Sequence, residues 1–492
     1  IHVAATTCPL QGVLNLADAP ELVRGGPSGR LVRHDMVAFP GEEREFFHLY
    51  ETLRYAGKGI LVTPDAVLQV ASDLLAAAIQ ERETAMTGVL RELTEGLWTW
   101  SLAAHKAAPK DPVLRYLVTY FAVPRILLSP VEARAAALLE DDADCFRTPE
   151  IGCPEEDLAA WKARRDKAVA AAKARAWGAV PDGVADDVRN LLERLGKAAG
   201  VGKYDPGVFG APQGFAVDWT LFTPRSHYTR SEYRDYFLAM SWYANVPLPA
   251  DAAALRLYEH VQEVPALARG WHALDGFAAA AVGGAARPTL THLGVALLAH
   301  PTWTTRVSPE ALLEDLAGRI GPIPVRGANE TFGYPGMQPY VLPPRLGTDV
   351  GVLLGLTHPA VPLRGMPTLL DVFAALGNRL AITIAGEPPE GEAWEAPAWR
   401  RALGGIHKTL AGHGPGYWSM NLYNRWLDTL RVLGDEAGIA GPAAPRWTGS
   451  ELYRARLLTT SLAGLTQLKH HTVLYNVNPM GVACGASSPI VV

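Results

Sequence analysis

The sequence predicts a mainly α fold: a large multi-helical single globular unit with long Pro/Gly-rich loops and a few short strands. Three observations carry this expectation. Apolar residues recur at helical spacing over long stretches, most clearly within 42–56 and from 63 to about 100. Runs of β-branched residues are short, at Ile60–Thr63 and within 380–384. The 38 Pro and 47 Gly fall largely between the periodic stretches, which argues against a simple bundle with short turns.

Residues 1–40 form an irregular N-terminal arm with Pro9, Pro20, Pro27 and Pro40. A helix over 42–56 follows, with Phe46, Phe47, Tyr50 and Leu53 on one face and Gly57 as its stop. Thr63 then caps a long helix whose first residue is Pro64. One or two helices fit 109–140, cut by Pro124 and Pro130. An acidic cysteine loop occupies 141–156. An Ala-rich helix over 157–178 carries Lys and Arg that read as a solvated face, and a further helix fits 180–200. Residues 201–227 read as a loop and as the boundary between an N-terminal helical subdomain, 41–200, and a C-terminal one, 201–475. Helices are expected over 229–245, with Thr229 as cap, and over 250–284, 308–319, 396–411, 418–433 and 448–470. The stretch 366–385 reads as helix turning to strand at 380–384. The tail 476–492 reads as extended and apolar.

Composition narrows the classes of function. The 492 residues are 49% apolar and 19% charged, enough to bury a large core and unlike a disordered chain. The net charge of −5 offers no basic surplus for nucleic acid. No apolar run reaches the roughly 18–20 residues of a membrane helix. The four cysteines, Cys8, Cys145, Cys153 and Cys484, form no CxxC pair. Cys145 and Cys153 would close a small ring, and Cys8 and Cys484 would join the two ends. An even cysteine count and a first residue other than Met favour an exported protein whose signal peptide has been removed.

Standard chemical motifs are absent: no GxxxxGK[ST], no HExxH and no GxSxG. GHGPG at 412–416 reads as a turn before a helix. DDAD at 141–144 has oxygen ligands suited to calcium but lacks the EF-hand glycine and closing glutamate. The remaining candidates for chemistry are Asp65, His227, Tyr228, His470 and His471. His227 and Tyr228 sit in PRSHYTR, where they would hold an anion, position a general base, or tie a loop to a helix start. His470 and His471 are adjacent and point in different directions on a helix. Asp65, His227, His470 and His471 form the candidate metal set, with zinc suited to imidazole plus carboxylate.

Four segments, read together, resemble one family, the bacterial and archaeal proteins grouped as domain of unknown function 3160. They are FFHLYETLRYAGKGILVTPDAVLQ at 46–69, DWTLFTPRSHYTRSEYRDYFLAMSWYANVPL at 218–248, MPTLLDVFAALGNRLA at 366–381 and LTQLKHHTVLY at 465–475. The resemblance brings no assigned reaction with it, and it agrees with export. Three departures stand out. Gln69 replaces a His after Asp-x-x-Leu, His471 replaces the Asp of a His-Asp pair, and Ser226 replaces the Gly of Arg-Gly-His-Tyr-Thr. Family members run on past the last motif, so the end at 492 reads as a processed terminus.

Two functions are therefore expected. The first is an exported, helix-rich accessory or binding protein of the cell envelope or a surface assembly, meeting a protein partner through its apolar tail. The alternative is a metal-assisted hydrolase built on an Asp/His centre. No particular cofactor is favoured, with zinc or calcium the metals to test.

Overall fold

The computed structural model describes residues 46–57, 62–139, 155–204, 215–248, 252–300, 309–320, 338–434 and 450–477. Helices dominate. In chain order they are α1 (Phe46–Tyr55), α2 (Pro64–Ala107), α3 (Pro112–Leu128), α4 (Pro130–Leu139), α5 (Glu155–Gly178) and α6 (Asp182–Lys197). After a hairpin come α7 (Ser231–Asn245), α8 (Ala252–Glu263), α9 (Pro265–Ala281), α10 (Leu290–Ala299) and α11 (Pro309–Ile320). The last are α12 (Thr348–Gly355), α13 (Leu369–Ala375), α14 (Arg379–Ala385), α15 (Ala396–Ala411), α16 (Pro415–Ser419), α17 (Leu422–Leu433) and α18 (Glu451–His471). Among the described residues the only sheet has two strands, β1 (Val201–Tyr204) and β2 (Phe215–Asp218), antiparallel with Val201 opposite Asp218 and Tyr204 opposite Phe215.

The chain forms two compact units. Unit 1 takes residues 1–77, 355–419 and 424–469; unit 2 takes 78–354, 420–423 and 470–492. Each unit gathers segments distant in sequence, and no local change in composition marks such returns of the chain.

In unit 2 the central element is α3, which packs on α5, α6, α7 and α8. Leu117, Val118, Tyr120, Phe121, Ala122 and Val123 are all fully buried, the signature of a helix covered on every side. Asp111 caps it, accepting from the backbone N–H groups of Val113 and Leu114. Pro124 does not cut α3 but lies within it, buried in the core. Packing on all sides holds the helix together despite the missing N–H. The buried tyrosines of this core find acceptors. Tyr116 donates to Pro247 O at 2.8 Å, Tyr120 to Val246 O at 3.1 Å, and Tyr243 pairs with Thr94 Oγ1 at 2.9 Å.

Unit 1 is held by α13, against which α14 and α15 pack, and by the α17–α18 contact. Trp426 donates its indole N–H to Gly464 O at 3.0 Å, and a Cβ at Gly464 would lie 2.7 Å from Leu430 Cδ2, so any larger residue there makes the Leu430 side chain shift. Asp371, fully buried, accepts from Arg364 Nη2 (3.0 Å), the Thr368 backbone N–H (2.7 Å) and Trp399 Nε1 (2.9 Å). The third motif, MPTLLDVF, is thus a helix start tied into a core.

Several local expectations change. Residues 380–384 are helical, within α14. Asn378 caps that helix by accepting from Ala381 N, and Ala381 and Ala385 bury one face, so cap and packing override the β-branched residues. The loop expected over 201–227 contains the hairpin and two short 3₁₀ turns, Trp219–Phe222 and Ser226–Thr229. Thr229 is not the cap of α7; Arg230 holds that position, and Thr229 Oγ1 donates to Ser226 O at 2.9 Å. Thr472–Tyr475 forms a turn, and Asn476 bridges Arg345. The arm at 1–40, the cysteine loop with its DDAD, all four cysteines and the tail beyond 477 lie outside the described residues.

Candidate functional site

The site grows from a glutamate on the apolar face of α2. Ile79, Glu83, Met86, Leu90, Leu93 and Leu97 follow the helical period and are all buried. Glu83 has 0% of its surface exposed. A buried carboxylate must be paired or hydrogen-bonded, and Glu83 is surrounded by donors. Tyr228 Oη donates to Glu83 Oε1 at 2.5 Å, and Tyr475 Oη donates to the same oxygen at 2.7 Å. His227 Nε2 lies 2.6 Å from Oε2. Against an ionised carboxylate, Nε2 carries the proton; in the neutral ring Nδ1 then accepts from Ser226 Oγ at 3.3 Å. Tyr475 spends its own proton on Glu83, so Tyr236 donates to Tyr475 Oη at 3.1 Å.

Local structure explains how the motif reaches Glu83. The turn Ser226–Thr229 brings His227 and Tyr228 to the same carboxylate, and Ser226 turns the chain with φ +55°. That left-handed conformation suits glycine, which is the residue of the resembling pattern at this position. The His227 ring meets Tyr228 at 4.0 Å between centroids and Tyr233 edge-on at 5.0 Å. Arg230 donates to Gln80 Oε1 at 2.6 Å, one helical turn before Glu83.

Electrostatics follow from burial. Burial pushes the phenols of Tyr228 and Tyr475 well above their usual range, and the Glu83 charge pushes them further. Burial raises Tyr236 in the same way. All three remain neutral donors: the carboxylate accepts from Tyr228 and Tyr475, and Tyr475 Oη accepts from Tyr236. The chemistry of this arrangement is a buried carboxylate that accepts from two phenols and an imidazole.

The candidate residues are placed differently from one another. His227 and Tyr228 meet on Glu83 in unit 2. Asp65 belongs to unit 1, where it accepts from Arg456 and Thr460 of α18. Burial alone would raise the Asp65 carboxyl; the Thr460 and Arg456 hydrogen bonds more than offset it and hold it below the usual range. Gln69, in the place of the expected His, donates to Asp73 Oδ1 at 2.9 Å. His470 is exposed and His471 half-buried, with ring centroids 5.7 Å apart. The last motif reaches the Glu83 centre through Tyr475. Among the described residues no group of three or more His, Cys, Asp or Glu is placed to hold a metal ion.

Glu83 itself escapes a search for motifs, since QERET, with Glu81, Arg82 and Glu83 in a row, reads as an ordinary charged stretch of helix. Its signal is positional: a charge at 83 interrupts an otherwise apolar stripe at 79, 86, 90, 93 and 97.

These features define a helical protein whose separate sequence motifs converge on buried polar centres. The family described as Protein of unknown function (DUF3160) matches over residues 28–285 and 341–491, most of the sequence. The chain belongs to that family. No curated protein and no solved structure matches it.

Proposed function

We propose that this chain is an exported, helix-rich accessory or binding protein of the cell envelope or a surface assembly, and that its motif residues hold the fold instead of carrying out a reaction. One observation supports this most. The polar residues of the second and fourth motifs, His227, Tyr228 and Tyr475, spend their hydrogen bonds on Glu83, whose carboxylate is wholly buried. A general base needs hydrogen-bond reach to a substrate proton, and this carboxylate lies away from the surface where substrate would arrive. Export rests on the four cysteines, which an oxidising compartment would join. The partner-binding segment in this reading is the apolar tail, 476–492.

Two measurements test it. Intact mass of the native protein, with and without reductant, should differ by about 4 Da for two disulfides; equal masses would remove the argument for export. Elemental analysis addresses the hydrolase alternative. Stoichiometric zinc that is lost on His227→Asn or His470→Asn would overturn the scaffold reading.

A further inference from the structure

Unit 1 contains a second polar centre, unlike Glu83 in being open. A cavity of about 300 Å³ lies among α13, α15, α16 and α17, at the low end of the range for small-molecule sites. Its floor includes Trp418 and Leu410, and its polar lining is His407, His413, Asp428 and Arg431. His413 and Pro415 come from GHGPG, which the sequence offers only as a turn.

The polar groups are held in place. Arg431 donates through Nε (3.0 Å) and Nη2 (2.6 Å) to Asp428 Oδ1, and its guanidinium lies 5.5 Å from the Trp418 ring centroid. Both bonds use one carboxylate oxygen, which leaves Asp428 Oδ2 as an acceptor and Arg431 Nη1 as a donor. His407 Nδ1 lies 2.9 Å from Ala375 O. A carbonyl only accepts, so Nδ1 carries the proton, and in the neutral ring Nε2 is an acceptor. Gly377, at φ +95°, permits this: a Cβ there would lie 3.2 Å from His407 Cε1. His413 stacks on Tyr417 with centroids 3.6 Å apart and planes at 11°.

The charges balance. One guanidinium faces one carboxylate, and the C-terminal end of α15, at Leu410 and Ala411, adds partial negative charge. A free anion would meet Asp428 and that helix end; a free cation would meet Arg431. Fixed, alternating donors and acceptors beside aromatic rings instead complement a neutral ring that carries several hydroxyls on an apolar C–H face. We infer that this cavity binds a neutral sugar ring, with Asp428 and Arg431 taking its hydroxyls and the imidazoles of His407 and His413 its ring. This site is independent of the Glu83 reading.

The test is saturation-transfer NMR on the full chain. The probes are the methyl glycosides of glucose, galactose and mannose, with N-acetylglucosamine, at millimolar concentration, and glucuronate as the charged control. At least one neutral sugar should receive saturation from the native protein. Ala411→Trp, which fills the cavity from an exposed position, and Asp428→Asn should each reduce that signal at least fivefold. Both variants should keep the native circular dichroism and melting temperature. The proposal is overturned by the absence of transfer to every neutral sugar, by undiminished transfer in folded A411W, or by binding of glucuronate alone. Should D428N unfold the chain, A411W carries the test by itself.

Discussion

A single carboxylate, Glu83, organises the polar core of unit 2. Its three donors approach within 2.5–2.7 Å, and hydrogen bonds to a charged group are worth about 1.5–3 kcal/mol each. Replacing Glu83 by Gln puts an amide donor among donors in a buried site. We expect E83Q to lower the stability of unit 2 by about 3 kcal/mol and Tyr228→Phe by about 2 kcal/mol, both read by urea unfolding. A loss below half a kilocalorie per mole for E83Q would mean that the network contributes little. The phenols give a second prediction. Their folded pKa values lie above the unfolded value near 10, so the stability they contribute is complete below pH 10 and is lost as pH rises beyond it. In an ultraviolet titration, Tyr228, Tyr236 and Tyr475 should ionise only with unfolding, and Y475F should shift the alkaline midpoint. Asp65 runs the other way. Its carboxyl is depressed, so its contribution is present above about pH 4 and is lost as pH falls through the folded value. Asp65→Asn should flatten the acid limb of the stability profile.

At the scale of elements, three described non-glycine positions, Ala198, Ser226 and Leu363, hold a left-handed backbone that their side chains disfavour, and two of them bound named turns or helices. Ala198 ends α6 at φ +45°, and Ser226 opens the motif turn at φ +55°. Glycine removes the Cβ penalty in that region. Ala198→Gly and Ser226→Gly should each raise stability by about 0.5–1 kcal/mol, which parallel unfolding curves would show. A destabilised S226G would instead mean that the Ser226–His227 hydrogen bond outweighs the strain. Elements were legible where period and cap agree. Thr63 does cap α2, its hydroxyl accepting from Ala66 N at 3.5 Å, and α15 runs over 396–411 as its period indicates. They were not legible where a cap and a buried face override propensity, as in α14. Nor were they legible where pairing decides: β1 and β2 are four residues each and exist because they meet.

Across the whole molecule, the motifs divide by unit. Asp65 with Arg456 and Thr460, and Asp371 with Arg364 and Trp399, tie unit 1; Glu83 with its three donors ties unit 2. Unit 1 also depends on close helix approach at Gly464. Gly464→Val should cost about 2–3 kcal/mol through overpacking against Leu430 and should lower the melting of unit 1 without changing the urea profile of the Glu83 network. Equal loss in both would show that the two units unfold as one.

The sequence by itself determined the helical class, most helix positions and the family. Those properties are local: a 3.6-residue apolar period, a capping residue, a proline at a first turn or a short motif is visible in a few neighbours. Only the tertiary structure decided that His227, Tyr228 and Tyr475 share one carboxylate. Their separations from Glu83, 144, 145 and 392 residues, leave no trace in any local pattern. It also decided that Asp65 accepts from Arg456 and Thr460, because a partly buried charge takes whichever donors the folded chain places beside it.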